Sequence, residues 1–119
     1  MSAKKALRGS DALLRKLALK LPEAEEAPHF GMPSFRVGKK IFATARLDER
    51  KAMLKLPRDL QEIACANYPD AVAPVPGYWG RNGATFVMID KIKPHDLADL
   101  VASAWANAAP KRLRDQARR

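Results

Sequence analysis

The sequence predicts an α+β domain with helices packed on one face of an antiparallel sheet, and three observations carry that prediction. Short β-rich stretches separated by turn residues fill the chain from Phe35 to Leu56. Helix-period stretches stand near both ends and follow Pro57. The resulting order, helix, strands, helix, strands, helix, gives every apolar helical stripe a sheet face to cover.

The first helix is expected from Ser10, a suitable N-cap, with Leu14, Leu17, Ala18 and Leu21 on one face until Pro22 stops it. After Glu23, Glu25 and Glu26, Gly38 divides Phe35-Arg36-Val37 from the strand Lys40–Arg46, and Leu47-Asp48-Glu49-Arg50 divides that strand from Lys51–Leu56. An antiparallel meander is the simplest assembly. Pro57 suits the first turn of a second helix through Asn67, with Leu60, Ile63 and Ala64 expected inward. Pro74 and Pro76 confine the next segment to a loop or an edge strand. Asn82-Gly83 marks a tight turn into the strand Ala84–Asp90. Pro94 and Asp96 open a last helix in which Leu97, Leu100, Val101, Ala104, Trp105 and Ala108 share one face. Val101 and Trp105 are expected against Ile41 and Leu54. The stretch after Pro110 reads as polar tail, so residues 1–113 form one domain and 114–119 a basic tail.

A chain of 119 residues, 47% hydrophobic, suffices for one core and leaves no room for a second domain. With the single cysteine Cys65 no intramolecular disulfide can form and no Cys/His zinc set can be written. Neither a signal peptide nor a membrane-spanning run is legible, so a cytoplasmic location and no membrane partner are expected. A monomer is favoured.

The net charge of +9 is unevenly placed. Residues 1–20 carry six Lys/Arg against one Asp, and 110–119 carry five against one. Between them charge balances, but 36–58 holds eight basic residues against Asp48 and Glu49. Strict alternation assigns Ile41, Ala43, Ala45, Ala52, Leu54 and Leu56 to the core. It assigns Lys40, Phe42, Thr44, Arg46, Lys51, Met53 and Lys55 to a basic face with an aromatic in its middle.

The stretches LPEAEE, FGMPSFRVGKKIFA, KLPRDLQEI, PGYWGRNGATFVMID and LVASAWANAAPKRL, in this order, resemble the MmcQ/YjbR-like family over about Ser10 to Leu113. Many relatives place Gly-Trp where this chain has Gly83-Ala84. The resemblance implies a CyaY-like fold, similar to frataxin and compared with a double wing, for which members are commonly labelled DNA-binding. It carries no catalytic motif.

Among chemical candidates, His29 and His95 lack partners at ligand spacing, and Cys65 has no base in view. Glu23, Glu25 and Glu26 invite comparison with the acidic ridge of frataxins but suit capping or solvated roles. Gly80-Arg81-Asn82-Gly83 has the form of a backbone-clamping GXXG loop, or of a plain hairpin turn. No catalytic constellation, cofactor or metal is expected.

Two functions remain. One is a nucleic-acid-binding module, DNA first, in which Arg36, Lys40, Arg46, Lys51, Lys55 and Arg81 meet phosphates, Phe42 stacks on a base and the basic ends extend the footprint. The other is a non-enzymatic protein-interaction or ligand-binding domain whose pocket involves Phe35, Pro76, Tyr78 and Trp79.

Overall fold

The computed structural model describes residues 9–46 and 50–117. The expected turn at Leu47-Asp48-Glu49, the N-terminal basic cluster Lys4, Lys5 and Arg8, and Arg118 and Arg119 lie outside the described residues.

Helix α1 (Gly9–Leu19) leads through Pro22 into strands β1 (Glu25–His29), β2 (Met32–Val37), β3 (Lys40–Arg46) and β4 (Lys51–Lys55). Helix α2 (Arg58–Asn67), strand β5 (Val72–Pro74), the single helical turn α3 (Tyr78–Arg81) and strand β6 (Ala84–Met88) follow. A 3-10 turn at Ile89–Lys91 then precedes helices α4 (Pro94–Ala108) and α5 (Lys111–Ala117). The strands form one sheet of order β1-β2-β3-β4-β6-β5 in which every neighbouring pair is antiparallel. The α+β class and the placing of helices over an antiparallel sheet are therefore as the sequence predicts.

Helices α1 and α4 cover one face of the sheet. Leu14 and Ala18 of α1, and Leu97, Val101, Ala104 and Trp105 of α4, are buried against Val37, Ala43, Ala45, Ala52, Leu54 and Val87. The Trp105 indole N–H donates to the Pro22 carbonyl at 3.0 Å, which satisfies its one polar atom and ties α4 to the end of α1.

The expected partner Ile41 is not in this core, and the reason is a β-bulge. Phe35 faces Ala43 while Arg36 faces Ile41, so Phe42 is one residue more than β2 can match. Two successive residues of β3, Phe42 and Ala43, consequently enter the helix-covered core with no exposed surface, and Ile41 moves to the opposite face. Strict alternation had them reversed. Phe42 offers no surface on which a base could stack.

Three further differences have simple causes. Glu25–His29 pairs with β2 as an edge strand, where Pro28 costs no ladder bond that the outer side needs. Lys111–Ala117 is helical, not tail, because Leu113 is buried and anchors it. In α2 the inward position belongs to Gln61 rather than Ile63, which is 53% exposed. The helix lies beside β5 and α3 rather than over a sheet face, and the Gln61 amide donates to the Gly80 and Ala84 carbonyls and to Thr85 Oγ1 at 3.0–3.1 Å.

The bulge predicts a reversal of role for Phe42. Phe42→Ala should cost about 3–5 kcal/mol, as aromatic truncations in closed cores do, and Trp105→Ala a similar amount. Urea unfolding of each variant checks both. A Phe42→Ala midpoint equal to that of the parent protein would return the ring to the surface.

Candidate binding face

The sheet face away from α1 and α4 is built from alternate residues of each strand. Ser34, Thr44, Met53 and Phe86 lie side by side across β2, β3, β4 and β6. Arg46 stands opposite Lys51, and Lys55 opposite Ala84. Lys51 Nζ sits 4.1 Å from the centre of the Phe86 ring and the Arg46 guanidinium 5.5 Å from it, both within cation–π range. The aromatic expected at Phe42 is thus supplied by Phe86, from a strand that the sequence does not place beside Lys40–Arg46.

One depression lies on this side and a second adjoins it. The first, of about 390 Å³, is lined by His29, Ile41, Thr44, Arg46, Met53, Lys55, Val75, Trp79, Ala84 and Phe86. Its floor is apolar apart from Thr44, and its cations are Arg46 and Lys55. The second, of about 500 Å³, lies at the end of the sheet and reaches round to the helix-covered side: it brings Arg36, Lys39, Lys40, Lys55 and His29 together with Asn107 and Ala108 of α4, and Lys40 stands opposite the core residue Val37. His29, Ile41 and Lys55 line both, and among the described residues no carboxylate lines either.

Local backbone explains the rim. His29 pairs with Met32, leaving Phe30 and Gly31 as a two-residue loop with φ of 52° and 79°, the type I′ form that suits right-twisted strands. Glycine takes this conformation freely and a bulky aromatic does not. Phe30 is nonetheless there, 90% exposed, with its ring against the edge of His29 at 4.6 Å.

At the other end Trp79 and Tyr78 of α3 are 63% and 64% exposed, their rings in edge contact at 5.8 Å. Helix α3 is held close by Gly80, where an added Cβ would lie 1.7 Å from the Val75 carbonyl oxygen, and by the Gln61 amide below it.

The sequence-predicted residues are therefore only partly brought together. Arg36, Lys40, Arg46 and Lys55 line the two depressions, and Lys51 stands over Phe86 beside them. Phe42 is in the core. Arg81 lines a separate hollow of about 290 Å³ with Arg58 and Gln61, and its carbonyl accepts from Arg58 Nη1 at 2.7 Å. Its Gly80–Gly83 segment starts inside the helical turn α3 and leads directly into β6, rather than lying between the two helices that a GXXG clamp needs. Of the alternative pocket, Trp79 lines the first depression and Pro76 the hollow beside Arg81, whereas Phe35 is buried in the core.

Helix α1 lies in the layer on the far side of the sheet, and three described cations of the two ends pair with carboxylates: Arg15 with Glu26 at 2.7 Å, Arg112 with Glu23 at 3.4 Å and Lys111 with Asp115 at 2.8 Å. Glu23 and Glu26 thereby have surface-pairing roles.

Among the described residues one trio could offer three metal ligands, His95, Asp96 and Asp99, whose donor atoms lie within 4.8 Å of one another. It sits on the first turns of α4, where acidic side chains already suit the positive helix end. Nearby, burial and then the charge of Asp96 raise the Tyr68 phenol above its ordinary range. Burial also raises the Cys65 thiol, which disfavours the nucleophilic thiolate.

A family model described as YjbR matches residues 19–107. The crystal structure of Deinococcus radiodurans protein DR2400, with a domain described as DUF419, superposes with a TM-score of 0.69 over 87% of this chain and 83% of that one, at 18% identity. This likeness concerns the fold. No curated protein matches.

The Gln61 contacts carry a prediction for the architecture of the rim. Gln61→Leu leaves two backbone carbonyls and the Thr85 hydroxyl without this donor, and should cost about 1–3 kcal/mol. Thermal unfolding reads the loss, and a blue or red shift of Trp79 emission in a Trp105→Phe background reads the displacement of α3.

Proposed function

We propose that this chain, which belongs to the YjbR family, binds nucleic acid as a single strand on the open face of its sheet. The observation that carries this reading is the composition of the two adjoining depressions: Arg36, Lys39, Lys40, Arg46 and Lys55 line them with no carboxylate among the described residues, and the first has an apolar floor containing Phe86. Cations along a groove track phosphates, and exposed rings stack on bases; together they are the two components of sequence-tolerant single-strand binding.

The rim supports the same reading. Phe30, Tyr78 and Trp79 expose most of their surface, and Phe30 does so in a backbone conformation that a bulky side chain adopts at a cost. Neither choice stabilises the domain. Both are accounted for if these rings meet a ligand. A duplex suits this face less well, since a concave floor below three protruding rings presents neither a helix nor a ribbon to a groove.

The chain has no catalytic part in this proposal. Few hydrogen-bonding groups face the depression, so backbone contacts dominate and sequence preference is weak.

Salt dependence tests it. With about five phosphates neutralised, binding of an oligothymidylate should follow log salt with a slope of about −3 to −4, by the smaller coefficient that single strands show. Replacing Lys40, Arg46 and Lys55 together by glutamine keeps the aliphatic stems and should flatten the slope by about two units. Fluorescence anisotropy at several salt concentrations gives both numbers. A slope untouched by the triple substitution would remove the open face from the binding site.

A further inference from the structure

Thr44 is the anomaly on this face. It is 3% exposed, it lines the first depression, and its Oγ1 has no hydrogen-bond partner among the described residues. Ser34, directly across in β2, shows what the position normally does: its hydroxyl donates to the Ala27 carbonyl at 2.7 Å. A buried hydroxyl left without a partner is costly, whereas valine would fill the same space without that cost. Around Thr44 the floor is made of Ile41, Met53, Ala84 and Phe86, with Trp79 at one wall and Arg46 and Lys55 as the cations. A volume of about 390 Å³ admits one flat ring system.

From these features we infer that the depression over Thr44 receives a single nucleobase turned out of a bound strand, and that the Thr44 hydroxyl hydrogen-bonds the edge of that base. This rests on the nucleic-acid reading above and adds the site at which a base, rather than the backbone, is held. The apolar floor and Phe86 take the faces of the ring, and Arg46 and Lys55 lie where its phosphates pass. The hydroxyl is shielded from solvent, so the base reaches it by displacing Met53, the unbranched side chain opposite it in β4. A hydroxyl both donates and accepts, so this contact favours no one base strongly.

The test compares two probes of about ten nucleotides, a span suited to one such module. One is oligothymidylate; the other has the same sugar-phosphate backbone with every base removed. The parent protein should bind the first at least about 10-fold more tightly than the second, the scale of one or more stacked bases. Thr44→Val should lower that ratio by about 3- to 10-fold, the scale of one hydrogen bond, without lowering the thermal midpoint. Thr44→Ser, which keeps the hydroxyl, should preserve the ratio, and Phe86→Leu should lower it.

Equal binding of the two probes, or a ratio unmoved by Thr44→Val, overturns the base pocket and leaves the backbone reading standing. No binding of either probe at low salt overturns both. Thymidine monophosphate offers the same ring and charge; if it bound as tightly as the oligomer, the site would belong to a free nucleotide and not to a strand.

Discussion

The open face depends on one residue too many in β3. A strand pair in register alternates sides without exception, and Lys40–Arg46 read that way places Phe42 outward and Ile41 inward. The bulge opposite Phe35 and Arg36 breaks the alternation once. Phe42 then fills the core between the sheet and its helices, where a large ring stabilises most, and Ile41 becomes part of an apolar floor that would otherwise carry a charge or a ring. From Ala43 onward the alternation resumes, so Thr44 and Arg46 still face the open side. Bulges also strengthen the local twist of the strands they interrupt.

Charge follows the same division between faces. On the helix side Arg15, Arg112 and Lys111 have carboxylate partners, exposed pairs that contribute little stability but leave little net field. Arg36, Arg46 and Lys55 line the open side, with Lys39 and Lys40 at its end, and among the described residues no carboxylate lines these depressions. The total of +9 therefore says less about a polyanion site than the distribution does.

Much of the fold was legible because it rests on period. The α4 stripe of Leu97, Val101, Ala104 and Trp105 is the one expected, as are β3, β4 and β6 and the edge position of Val72–Pro74. The rest was hidden for identifiable reasons. Ile41 and Phe42 are both apolar, so the pattern fits either register and only the pairing with β2 decides. β1 is written in Glu, Ala, Pro and His, residues with little β preference, and holds its place by pairing with β2. Gln61 carries no inward signal in the sequence; its role appears once α3 and β6 present carbonyls to it. Four of the expected site residues, Arg36, Lys40, Arg46 and Lys55, were legible because they share β2, β3 and β4, which are consecutive in the chain. Phe86 and Trp79 were not, because they reach the same depression from β6 and α3, beyond α2 and β5 in the sequence.

Stability and binding draw on separate residues in this domain, and that separation is itself informative. The core residues satisfy every rule at once: apolar, closed, and with the Trp105 indole bonded. The open face breaks rules in three places. Phe30 holds a positive φ, Tyr78 and Trp79 leave large rings in water, and Thr44 buries a hydroxyl without a partner. Each alone is a small cost of a kind that proteins tolerate. Phe30 adjoins His29, and Trp79 and Thr44 line the same depression as His29, so these residues meet on one surface, while Glu23 and Arg50 hold positive φ and Leu19 and Ile63 are exposed elsewhere. Local choices in a natural sequence otherwise agree with its fold, and departures that cluster mark where something other than folding set the residue. The exposed rings and the unpartnered Thr44 hydroxyl beside Arg46 and Lys55 are the features on which the proposed binding of a ligand with flat rings and negative charge rests.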